Sequence, residues 1–213
     1  GWWRLKSQSY WKEIAVRRIT LNQLLLAFLL VAVGVSLRML FVEIPNFAPV
    51  AALALIAGYM LPSCILAVAV PISVMVITDL MIGTHQPLVM MSVYAMLALP
   101  ALIGRPLKQA TPIRSLSSLN TWRSLLALCG CVLLSSLTFF LVTNVACWRF
   151  SGWYPLDADG LVSCIVAAVP FFRFTLAGDF VFTIGFFTVY AACVNLYALA
   201  MRSSSNVPEQ VTA

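Results

Sequence analysis

Charge is what this sequence has least of. Only 9% of its 213 residues are charged, seven of them are acidic, and there is one histidine. A soluble domain carries roughly 25% charge, whereas here 62% of the residues are hydrophobic. Water could not solvate such a surface, and the chain is too short to bury it all in one core. An all-α integral membrane protein is the class that fits. Other absences narrow the function. No CxxC pair occurs, and Cys129-Gly130-Cys131 is too tight for the usual zinc spacing. Cys64, Cys129, Cys131, Cys147, Cys164 and Cys193 therefore read as small apolar packing residues, with a Cys147–Cys164 disulfide left open. GxSxG, HExxH, P-loop and GxGxxG are all missing. The expectation is no enzyme, no cofactor and no metal centre. The net charge of +6 comes from basic residues scattered between apolar runs, not from a continuous stripe, so nucleic acid is not an expected partner.

What is abundant is apolar sequence in long runs. A helix needs about 20 residues to cross the hydrocarbon core. Leu21–Val42, Ser63–Leu80, Pro87–Gly104, Leu125–Val145 and Phe174–Ala200 are such runs, and Phe47–Leu61 is a shorter one. Leu161–Phe172 is a short apolar stretch ending near Pro170. The sequence thus predicts six transmembrane helices over residues 21–201. Residues 1–20, with Trp2, Trp3, Tyr10 and Trp11 among basic side chains, predict a short interfacial amphipathic helix and no cleavable signal. Residues 202–213 read as a flexible tail.

With the N-terminus inside, six spans put ten basic residues on the inner side: Arg4, Lys6, Lys12, Arg17, Arg18, Arg105, Lys108, Arg114, Arg123 and Arg202. Arg38, Arg149 and Arg173 fall in the outer half, together with five of the seven acids. This asymmetry predicts both termini in the cytoplasm, as the positive-inside rule requires.

The same division gathers polar residues at one outward mouth. Arg38 and Asp179 are the foremost candidates, because each costs several kcal/mol if left unpaired in lipid. Asp179 is expected to pair with Arg173 or Arg38. Asp79, Gly83 and His85 close the third span and read as a proton relay, a metal half-site, a ligand hook or a hydrogen-bonded turn. Asn46, between Pro45 and Pro49, reads as the N-cap of the second span, whose N-terminus would attract anionic groups. Asn144 ends the fifth span, and Trp148 follows as a belt residue or a stacking surface. Ala54 and Gly58 form a small-xxx-small pair for close helix packing, within the chain or against a partner.

At these residues the chain resembles an uncharacterised bacterial family of six-span membrane proteins, known only as a domain of unknown function. The likeness rests on Arg38, Pro45-Asn46-Phe47, Pro49-Val50-Ala51-Ala52, Asp79 with Gly83 and His85, Val93-Tyr94, Thr143-Asn144 with Trp148, Tyr154-Pro155, and Ala167 to Asp179 with its Pro-Phe-Phe-Arg core. It covers about Arg38 to Tyr190. That family is in turn similar in length, topology and outward site to the S components of energy-coupling-factor vitamin transporters, including a solitary cobalamin-binding type. Two departures stand out. Phe174 follows Pro-Phe-Phe-Arg where the family usually has Asn. The first span offers Ala27, Ala32 and Gly34 out of register with the AxxxA docking motif of S components.

The resemblance implies an S-component-like uptake protein of the bacterial inner membrane. Its ligand site, for a vitamin-like solute, would draw on Arg38, Asn46, Asp79, His85, Asn144, Trp148, Arg173 and Asp179. The alternative is a non-catalytic accessory subunit packed among other membrane subunits. A membrane enzyme using Asp79 and His85 comes third. A closed polar cavity would favour the first reading, and a cluster plugged by its own salt bridges, with a flat apolar outer wall, the second.

Overall fold

In a computed structural model, which describes residues 19–83 and 86–205, the chain forms seven helices and no strand among those residues. The expected interfacial helix, up to residue 18, the tail beyond residue 205, and His85 lie outside the described residues. The helices are α1 (Leu21–Leu40), α2 (Val50–Met60), α3 (Cys64–Ile82), α4 (Pro87–Ala110), α5 (Leu116–Leu119), α6 (Trp122–Phe150) and α7 (Ala158–Ser205). Five of them, α1, α3, α4, α6 and α7, are long and apolar enough to cross a membrane.

Local sequence sets the helix starts. Thr20, Ser63, Gln86 and Thr121 each accept a hydrogen bond from a backbone N–H in the first turn that follows, which satisfies donors the helix itself cannot. Gly83 stops α3 with a φ of 105°, a backbone conformation open to glycine and costly for other residues.

The second expected span differs from its prediction. Only Val50–Met60 is helical, 11 residues or about 16 Å, roughly half the hydrocarbon thickness. Asn46 is not its N-cap. It adopts φ 59° in the preceding turn, and Pro49 occupies the cap position without a side-chain bond. Asn tolerates the left-handed region, while Pro49 presets the φ that launches the helix. A helix this short is stable here because nine of its residues are buried by the other helices. The irregular segment 41–49 is packed at its two ends and exposed over residues 42–46: Phe47 meets Phe41 and Phe182 at 5.4 and 5.2 Å between ring centroids.

The small residues of α2 serve packing within the chain. A Cβ on Gly58 would lie 1.9 Å from Ala101 O, and one on Gly104 would lie 2.4 Å from Tyr59 N. The backbones of α2 and α4 therefore touch, as the Ala54/Gly58 pair suggested. At the far end of α2, the buried Tyr59 hydroxyl accepts from Ile113 N at 2.6 Å and donates to Thr111 O at 3.2 Å. These bonds tie α2 to the loop after α4.

The last span also differs. Leu161–Phe172 and Phe174–Ala200 are one helix of 48 residues, about 72 Å. Pro170 does not end it, because backbone left unpaired in an apolar surrounding costs more than one missing bond. Its trace is uneven, however. Contacts with α6 run Cys164 to Asn144, Phe172 to Phe140, and Asp179 to Ser136. Fifteen residues of α7 thus match eight of α6, which a straight antiparallel pair cannot give. Pro170 lies inside that stretch and lacks the amide for one ladder bond.

Candidate functional site

α1, α3 and α6 end, and α2 and α4 begin, around one end of the bundle. Because α1 packs along α3, Arg38 in the last turn of α1 reaches the last turns of α3. Arg38 Nη2 donates to Asp79 Oδ1 at 2.8 Å. Its Nη1 donates to Thr78 Oγ1 and lies against Met75 Sδ. Tyr94, on α4, donates its hydroxyl to Asp79 Oδ2 at 2.7 Å. Both oxygens of Asp79 are therefore engaged, and the carboxylate is 4% exposed. Three helices are joined by one charged cluster.

Asp179 corrects the sequence expectation. It pairs with neither Arg38 nor Arg173. Ser136 Oγ donates to Asp179 Oδ2 at 2.6 Å, and the single side-chain ion pair among the described residues is Arg38–Asp79. The reason is geometric. Arg38 is held beside α3, and six residues of helix turn Arg173 about 240° away from Asp179. The Arg173 guanidinium instead lies 4.7 Å over the Phe174 ring.

These elements enclose a cavity of about 570 Å³. Buried Val50, Met75, Asp79, Leu97 and Asp179 line its depth, and exposed Ile82, Gly83, Gln86 and Trp153 line its mouth. Four expected site residues border it: Arg38, Asn46, Asp79 and Asp179. Three do not. Asn144 donates back to Phe140 O at 2.7 Å, Trp148 donates its indole N–H to Pro155 O at 2.8 Å, and Arg173 stacks on Phe174. Trp148 is thus a brace between α6 and the loop after it. The residue at this loop that faces the cavity is Trp153. The six cysteines are free thiols, and Cys164 lies against Asn144 O.

Sequence reasoning missed the α4 wall. Gln86, Val89, Met90, Val93 and Leu97 line the cavity at the spacing of one helical face. That signal was present, but α4 is apolar on most of its circumference, so no face stood out. Ser136, and Ser135 and Thr183 near it, were missed as well. Those two border a second, much smaller void of about 10 Å³ behind Asp179, which lines both spaces.

The comparisons with known proteins bear on kinship, not on activity. No curated protein and no solved structure matches the chain. The chain belongs to a family of unknown function (DUF6580), whose profile matches residues 18–202.

Proposed function

We propose that this protein binds a small solute of vitamin-like size from outside the cytoplasmic membrane and takes part in its uptake, in the manner of an S component. The observation that carries the reading is the cavity. Its volume of about 570 Å³ falls within the roughly 300–1,000 Å³ of small-molecule sites. Its wall is mostly apolar, with Arg38, Asn46, Asp79, Gln86, Thr175 and Asp179 as the polar groups. That is how such sites fix orientation. The Arg38–Asp79–Tyr94 cluster is already satisfied, so Arg38 and Asp79 present a fixed stretch of wall and need not reorganise around a ligand.

Orientation follows from charge. Among the described residues, Arg105, Lys108, Arg114 and Arg123 lie toward the end of the bundle opposite the cavity. The positive-inside rule then turns the mouth outward and both termini inward. With no nucleotide motif in the sequence, energy would come from a partner subunit or an ion gradient.

The test is native mass spectrometry in mild detergent, together with uptake of labelled vitamins in a host lacking its own route. Val93→Trp, which fills the cavity, should abolish binding and uptake while the protein still inserts at normal levels. If wild type binds nothing, or if Val93→Trp behaves like wild type, the solute reading fails. A co-purifying membrane subunit in place of a ligand would favour the accessory-subunit alternative. Labelling of a cysteine placed at position 114 from outside the cell would overturn the orientation.

A further inference from the structure

Several hydroxyl side chains in the long helices of this protein bond back to their own helix. Thr78 donates to Val74 O at 2.7 Å, Ser92 to Val89 O at 2.7 Å, and Thr143 to Phe139 O at 2.7 Å. That is the default for Ser and Thr in an apolar helix. Three buried hydroxyls near Asp179 do otherwise. Ser136 turns to its carboxylate. Ser135 Oγ and Thr183 Oγ1 are buried and have no hydrogen-bond partner. Ser135 is 6% exposed and Thr183 is 2% exposed. An unmade hydrogen bond at such a site is costly. Both border the 10 Å³ void that Asp179 also lines. Asp179 and Thr183, four residues apart, share one face of α7.

We propose that this void is a buried sodium site, with ligands from Asp179, Ser135 and Thr183 and support from Ser136. A hard cation takes oxygen ligands, and oxygens are what converge here. One carboxylate matches one positive charge, whereas a divalent ion would leave a net charge buried in the bundle. The space holds about one small sphere, room for one bare monovalent cation, of which sodium is the smaller and harder choice. No group of three His, Cys, Asp or Glu side chains that could hold a metal occurs among the described residues. The site is therefore one of hydroxyls and a single acid. Because Asp179 also lines the solute cavity, sodium and solute would share one wall.

The experiment uses sodium alone, with no solute, so its outcome is independent of the uptake reading. The full chain in mild detergent is melted in NaCl, KCl and choline chloride at equal ionic strength. A ligand that binds only the folded state raises the midpoint with concentration. The expected result is a saturable rise of a few degrees in NaCl and none in choline chloride or KCl. Asp179→Asn and the isosteric Thr183→Val should each melt cooperatively and lose that rise. One equivalent of radioactive sodium should be retained per wild-type chain. Equal midpoints in all three salts would overturn the proposal and leave a water-filled or empty void beside a protonated acid. An equal rise in potassium, or a rise that survives in both variants, would overturn it too. Should one variant fail to fold, the wild-type series and the other variant still decide.

Discussion

Two carboxylates, Asp79 and Asp179, are buried to almost the same degree, 4% and 5% exposed, and they are treated in opposite ways. Asp79 has a guanidinium on one oxygen and a tyrosine hydroxyl on the other. Asp179 has one serine hydroxyl and a small void. A buried charge is tolerated when it is paired and hydrogen-bonded. By that measure Asp79 is finished and Asp179 is not. Burial alone therefore does not separate a structural acid from a functional one. Completeness of the partner set does.

The largest expected effect tests the finished acid. Arg38→Ala removes the counter-charge and leaves Asp79 buried beside Tyr94. Breaking one side of a buried pair costs about 3–5 kcal/mol, which should appear as a steep fall of the detergent melting midpoint. The double variant Arg38→Met with Asp79→Leu replaces the pair by apolar groups of similar size. It should recover most of the loss, because a removed pair costs far less than a broken one. A double variant as unstable as Arg38→Ala would show that the cluster contributes more than charge neutralisation.

A smaller effect belongs to Tyr94→Phe. The ring stays and one hydrogen bond to a charged acceptor goes, worth about 1.5–3 kcal/mol. Its loss should be clearly less than that of Arg38→Ala, since the ion pair persists. If the two losses were equal, Tyr94 would be holding the Arg38–Asp79 geometry rather than adding one bond to it.

How much of this was legible in the sequence follows from the same physics. Run length gave α1 and α3 to within about two residues, because in an apolar solvent the helix must cover its own backbone and has one natural length. Arg38, Asp79 and Asp179 stood out because charge is so rare here. Their pairing did not. Pairing depends on which helix faces meet, and helices that are apolar almost all round carry no stripe to say so. Arg38 lies 41 residues from Asp79, and nothing local links them. Pro170 and Asn46 misled in the way local signals do. A proline usually ends a helix, but that preference is small beside the cost of unpaired backbone in the bundle; an asparagine suits a left-handed turn as well as a cap, and Asn46 takes the turn. Ser135 and Thr183 were invisible for a third reason. A hydroxyl in an apolar run is ordinary, and only its missing bond makes it informative.

The smallest expected effect tests the unfinished acid, and it discriminates best. Asp179→Asn keeps the shape of the side chain and an oxygen that can accept from Ser136 Oγ. It removes a charge that has no ion-pair partner among the described residues. In choline chloride the change should therefore shift stability by less than about 1 kcal/mol, or raise it, since an uncompensated buried charge is itself unfavourable. Melting curves of wild type, Arg38→Ala and Asp179→Asn in one buffer would measure the contrast directly. A fall for Asp179→Asn as large as that for Arg38→Ala would mean that Asp179 has a counter-charge after all, and the distinction between the two acids would collapse. A near-zero shift would place Asp179 outside the stabilising framework of the bundle, in a position where its charge can respond to what enters the cavity or the void behind it.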